Sequence, residues 1–480
     1  MAKKENYKRK EVLKLLRSQQ IRDLKDIESY KLSVCHPDSA GIDLGSREIY
    51  VALSPAIAAE MGLPIVHVFN TYTDGLNACK ELLLSCCIKS VSMESTSVYW
   101  TTIYSILQSS GMEVCLVNPK KFRMVPGRKT DVLDCQWLQT LHYYGLLRGS
   151  FVPEEKISEL RSYMRERDNI LKDRARYVQR MQKALTKMNL LLHNVLSDIT
   201  GESGLKIIRA ILAGERDSKT LASYRSIRVK KTEEEIVASL NGYYKPDQLY
   251  LLRINHDSYV FFTDKLLEID AQIEMLLGQF PLKKEKTETC PPQEKEEGKR
   301  INKRQGKNGV RFKSDDLNDV LYRIVGSDLT TIPGLQANTI LQIISEVGRD
   351  MSKFPTANHF ASYLGFVPHN KITGGRIQSS RTDRINSPAA QAFKKVIPSI
   401  SQRDTALGAF YRRIVFRVGT GKAVVATCRK LAIAFYNAIT QGEEYIDEGK
   451  DRYLKRQEER EKRTLIKLAN KYNMQLNATG

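Results

Sequence analysis

The chain has 480 residues, 41% of them hydrophobic, and a formal charge of +21. That length exceeds one ordinary core, so two or three domains are expected, and such an excess of cations calls for an anionic partner, nucleic acid before any other. The eight cysteines include no Cys-x-x-Cys pair, which excludes a zinc ribbon and fits a reducing compartment. The absence of a signal-peptide core or a run of about 18 apolar residues points to the cytoplasm.

Residues 1–34 read as a basic helical extension. Over 35–152, SAGIDLGSREIYVALSP predicts two strands around a tight turn, and PIVHVFNTY a third. DGLNACKELLLSCC has helical spacing, IKSVSMES is a fourth strand, VYWTTIYSILQSSG a helix, MEVCLVNP a fifth strand, and KTDVLDCQWLQTLHYYGLL a helix with apolar residues three and four apart. That order predicts an α/β, RNase H-like mixed sheet with helices packed on it. Residues 153–280 are charged, amphipathic and helical, suited to a coiled coil or a long bundle helix. Residues 281–316 are too charged and too poor in large apolar side chains to fold alone and read as a disordered or RNA-ordered insertion. Residues 317–440 form a compact, mainly helical domain, and 441–480 a charged helical tail. Within the former, LTTIPGLQANTILQIISEVG reads equally as a core helix pair or as a helix-hairpin-helix whose Pro333-Gly334 turn presents a helix N-terminus to phosphate.

Four carboxylates stand out. Asp43 lies inside the first strand between Ile42 and Leu44, where an acid is costly unless it is paired or binds metal. Glu94 ends the fourth strand, which neighbours the first in an RNase H-like sheet. Asp131 and Asp134 are three apart, so they share one helix face, where like charges repel unless a cation lies between them. Hard oxygen ligands of this kind suit Mg²⁺ or Mn²⁺, and metal held by carboxylates is a means of phosphoryl transfer.

Several segments in order carry a family resemblance: HPDSAGIDLGSREIYVAL, MESTSVYW, VPGRKTDVLDCQWLQTLHYYGLLRGSFVP, ASYLGFVPHNKITGGRIQSSRT and LGAFYRRI. Over roughly residues 36–440 the chain resembles the DEDD transposases of bacterial insertion sequences, the family of the Piv invertase and the bridge-RNA-guided recombinases. Its closest likeness is to subgroup eleven-eleven of insertion-sequence family one-ten. The resemblance implies a RuvC-like domain whose acids and metal hold the scissile phosphate, and a C-terminal transposase domain whose serine attacks it. It also implies a covalent protein–DNA intermediate, donor and target DNA as partners, a structured non-coding guide (bridge) RNA that sets sequence choice, and a homo-tetramer, a dimer of dimers, with composite sites.

The chain departs from the pattern at the nucleophile. Thr373 stands where the family has serine, before Gly374 and Gly375. Threonine keeps the hydroxyl, although its methyl group restricts rotamer and approach. Ser379 and Ser380 carry the same group nearby. Arg128 and Lys129, ahead of Asp131, are candidate phosphate contacts, as are Arg376, Arg381, Arg412 and Arg413. Two other functions compete: a metal-dependent nuclease of the Holliday-junction-resolvase kind, and a catalytically impaired RNA- and DNA-binding relic.

Overall fold

In this computed structural model the described residues are 33–95, 97–118, 130–285, 288–290, 307–382, 385, 387–442, 445–472 and 474. The candidates Arg128 and Lys129, and nearly all of the N-terminal extension, lie outside them. The chain divides into two compact units, Met1–Val152 and Pro153–Gly480.

The first unit is a five-stranded mixed sheet. Its elements run β1 (Ser39–Leu44), β2 (Glu48–Leu53), α1 (Pro55–Glu60), β3 (Val66–Asn70), α2 (Thr73–Ser85), β4 (Ser90–Glu94), α3 (Trp100–Ser109), β5 (Glu113–Val117) and α4 (Asp131–Tyr143). The strand order is β3-β2-β1-β4-β5, antiparallel from β1 to β3 and parallel from β1 through β4 to β5. The predicted mixed sheet is therefore present, with β1 and β4 adjacent; the short helix α1, which falls between the second and third predicted strands, was not predicted. One sheet face is apolar. Ala40, Ile42 and Leu44 of β1 and Val91 and Met93 of β4 join Leu76, Leu83, Ile103 and Leu107 of α2 and α3 in one buried core. Strand alternation sends Ser39, Gly41 and Asp43 to the opposite face.

The second unit is almost wholly helical: α5 (Glu155–Lys187), α6 (Leu192–Val195), α7 (Glu202–Ala213), α8 (Ser218–Ser223), α9 (Glu233–Leu240), α10 (Pro246–Leu277), α11 (Leu317–Val325), α12 (Ala337–Val347), α13 (Ala357–Tyr363), α14 (Pro388–Lys395), α15 (Ile397–Ser401), α16 (Ala406–Val418), α17 (Thr420–Gln441) and α18 (Lys450–Lys471). The long helices α5 and α10 pack along one another. Between them Arg167 and Asp270, both buried, form a two-pronged ion pair with Nε–Oδ1 at 2.5 Å. Such a pair is tolerated in a core because each charge satisfies the other.

Composition predicts disorder for 281–316, but within that stretch residues 307–316 fold onto the helices. Arg167 Nη1 donates to Asn308 O, the Arg311 amide donates to Asp270, the Val310 amide to Asn338, and Lys307 binds Asp198 and Thr200. Val310 is buried. The stretch lacks apolar bulk of its own, so distant polar partners order it.

Likewise the charged tail is anchored in part by Tyr453, buried against Ala406, Ala409 and Phe410. The Pro333-Gly334 turn leads into a core helix. Gly334 has φ +86° and no room for a Cβ against Ile400, and α12 buries Ile340, Leu341, Ile344 and Val347.

Candidate active site

The face of the sheet opposite the apolar core is built from small and acidic residues. In the parallel β1–β4 register Ser39 stands opposite Ser90 and Gly41 opposite Ser92. One further step on that face reaches Asp43 on β1 and Glu94 on β4. Because Ser, Gly and Ser have no bulk, α4 settles on this face at close range. A Cβ on Gly41 would collide with Cys135 O and Gln139 N and lie 2.9 Å from Gln139 Cα. Ser92 Oγ donates to Leu138 O at 3.1 Å, and Ser90 Oγ and His142 Nε2 are 2.5 Å apart.

The rest of this polar layer is set by burial. His36 stacks on His142 with ring centroids 4.4 Å apart. Burial first, and then the neighbouring His36, push His142 down to about 4. Its ring is therefore neutral at pH 7 and meets Ser90 without introducing a buried charge. The His36 and Cys35 amides both donate to Tyr143 O, tying the lead-in of β1 to the end of α4.

With its C-terminal half held this way, α4 carries Asp131 and Asp134 in its first turn, started by Thr130, whose hydroxyl accepts from the Leu133 amide at 3.3 Å. The four acids are coupled through Asp43. Asp43 is raised from 3.8 to about 6, by burial first, then by the charges of Asp134, Asp131 and Glu94 in that order. Each acid picked out of the sequence thus acts on Asp43. Glu94 is buried, Asp43 and Asp134 are half-buried, and Asp131 is exposed.

Among the described residues no group of three or more His, Cys, Asp or Glu side chains is gathered into a ready-made metal cage. The donor chemistry nonetheless fits a divalent cation. The cluster offers hard carboxylate oxygens only, and its mutual repulsion is what a cation would relieve. Gly41, Ser90, Ser92 and His142 were not singled out by the sequence reading. The signal for the strand residues was the parity match of S-x-G-x-D in one strand with S-x-S-x-E in another.

In the second unit Thr373 ends β6 (Lys371–Thr373), which pairs with β7 (Arg376–Ser379) in a two-stranded hairpin. Gly374 and Gly375, with φ +56° and +78°, make the two-residue turn, a conformation that suits glycine at both positions. Thr373 and Arg376 face each other across this turn and both are exposed. Ser379 Oγ accepts from the Arg381 amide at 3.4 Å, and Ser380 is exposed. Arg412 donates to Ser401 O and Arg403 O, while Arg413 donates to Gln457 and lies over the rings of Phe410 and Tyr453. Both guanidinium groups are thus engaged inside their own unit.

Two family models match the chain. A transposase model of the DEDD, IS110 type matches residues 40–190, which include all four acids. A model described as transposase IS116/IS110/IS902 family matches residues 326–412, which include the glycine hairpin. No curated protein matches the chain. With the acids under one model and Thr373 under the other, the chain belongs to the IS110 family of transposases, enzymes that recombine DNA.

Proposed function

We propose that this transposase cuts and rejoins DNA strands through a covalent protein–DNA intermediate, with Thr373 as the attacking hydroxyl. The observation that supports the reading is the β1–β4 register, which brings Asp43 and Glu94 to one face of the sheet, with α4, whose first turn carries Asp131 and Asp134, docked on β1. These four residues would hold Mg²⁺ or Mn²⁺, which supplies charge neutralisation at a phosphate. Everything else is protein chemistry. The Thr373 hydroxyl gives up its proton as Oγ1 bonds to phosphorus, and the bond from phosphorus to one deoxyribose oxygen breaks. That oxygen takes a proton as it leaves. The phosphodiester is conserved as a threonine ester, so a second deoxyribose hydroxyl can reverse the exchange without an external energy source.

Thr373 is favoured over Ser379 by its place beside the Gly-Gly turn, where backbone bulk is least and the side chain is exposed. Arg376, its cross-strand partner, and Arg381 are suited to the phosphate's charge. A guide RNA and assembly as a homo-tetramer follow from the family resemblance, and the +21 charge suits two kinds of polyanion at once.

The test is a denaturing gel that traps labelled DNA on protein. Wild type, Thr373→Ser and Ser379→Ala should form the adduct, while Thr373→Ala and Asp43→Asn should not. An undiminished adduct in Thr373→Ala would refute the nucleophile. Cleavage without any adduct or joined product would favour a hydrolytic nuclease.

A further inference from the structure

The helices α16 and α17 pack side by side and meet at Gly419, whose φ of +86° makes the turn between them. At this apex every residue from Phe416 to Lys422 is exposed. Phe416 is 96% exposed, and Val418 beside it is 40% exposed. A phenylalanine left in water forgoes the stabilisation that burial gives a ring of that size. The charge along the two helices themselves is of one sign. From Thr405 to Gln441 there are six basic residues, Arg412, Arg413, Arg417, Lys422, Arg429 and Lys430, and no acid.

Four of the six are engaged inside the unit. Arg412 and Arg413 have the partners given above, Arg429 donates to Asn358 Oδ1, and Lys430 lies over the Phe410 ring, 4.5 Å from its centroid. Arg417 and Lys422 have no hydrogen bond or ion pair to any described residue, and these are the two that lie with Phe416 in the exposed apex.

We infer that this apex binds an unpaired DNA strand, with a base stacked on Phe416 and backbone phosphates on Arg417 and Lys422. An exposed flat ring followed along the same apex by two unpaired cations offers a stacking face for a nucleobase and charge for the phosphates of its strand. The same patch is poorly matched to a protein partner, which would require a broad, mostly uncharged contact area. DNA is the partner because cutting and rejoining strands takes bases out of the duplex at the moment of exchange. That choice alone rests on the recombinase reading; the stacking site itself does not. It lies beyond residue 412, the last one matched by the second family model.

Fluorescence anisotropy on the full chain tests the inference, with one mixed-sequence strand offered as single-stranded DNA, as duplex DNA and as RNA, over a salt series. Phe416→Ala should weaken single-stranded DNA binding roughly ten-fold and leave duplex binding within about two-fold, while Phe416→Trp should bind like wild type. The double variant Arg417→Gln/Lys422→Gln should lower the salt slope for the single strand by about 1.4. Both sets should keep the wild-type melting curve, since these side chains are exposed. Unchanged single-strand affinity in Phe416→Ala overturns the inference. So does an equal loss for duplex, a loss confined to RNA, or a changed sedimentation coefficient with binding intact, which would mean that another protein copy covers the ring. Stacking through Phe416 without any covalent adduct would keep this inference and sink the proposed chemistry; an adduct without stacking would do the reverse.

Discussion

Replacing Asp43 by Asn removes one charge from the acidic cluster while keeping its shape. The expected result is a more stable protein that no longer responds to metal. Asp43 is raised from 3.8 to about 6, so between those values the folded chain keeps a proton that the unfolded chain has lost. Stability therefore falls as pH rises through that window, and the whole penalty is present above it. A shift of this size corresponds to about 3 kcal/mol in a fully dry site; Asp43 is only half-buried, and solvent screening reduces this to about 1–2 kcal/mol. Relief of that penalty should slow amide exchange in β1 and β4 of Asp43→Asn by roughly 5- to 30-fold at pH 7.5. Near pH 4 variant and wild type should converge, because Asp43 is then protonated. Mn²⁺ should slow exchange in wild type, increasingly as pH rises past about 6, and should leave the variant unmoved. Faster exchange in Asp43→Asn at pH 7.5, independent of pH, would mean that the carboxylate makes a structural contact and that the cluster is not one of mutual repulsion.

Two further outcomes test the scaffold. Gly41→Ala forces a methyl group against the α4 backbone, which should cost about 1–3 kcal/mol and weaken Mn²⁺ binding by moving Asp131 and Asp134; wild-type Mn²⁺ affinity in this variant would separate the helix contact from the acids. Arg167→Ala strands buried Asp270 and should cost about 3–5 kcal/mol in urea unfolding, with much of the loss recovered in Arg167→Met/Asp270→Leu. A neutral single variant would contradict a buried pair.

The acids were legible because a carboxylate inside a strand and two on one helical turn are expensive choices. Element order then sufficed to make β1 and β4 neighbours. The close docking of α4 was not read, because small residues in a strand look like weak β-formers until two strands are in register. Ser39, Gly41, Ser90 and Ser92 acquire meaning only as a paired surface. The folding of 307–316 was hidden for a different reason. Its partners Arg167, Asp198 and Asp270 lie far away in sequence, and local composition carries no trace of them. The hairpin around Thr373 left a signal, two glycines between Ile372 and Ile377, but strands this short carry no alternation to mark them as a pair.

β1 presents its two faces to different tasks. Ala40, Ile42 and Leu44 belong to the core shared with α2 and α3, whereas Ser39, Gly41 and Asp43 meet α4 through backbone-close contacts that no bulky side chain mediates. Repacking the core with other hydrophobic residues can therefore change how firmly the sheet holds together without altering the distance from strand to helix on the far side. Robustness and chemistry are separable variables in this unit. A stabilised version could be selected on even-numbered positions of β1 while its odd-numbered positions are left untouched.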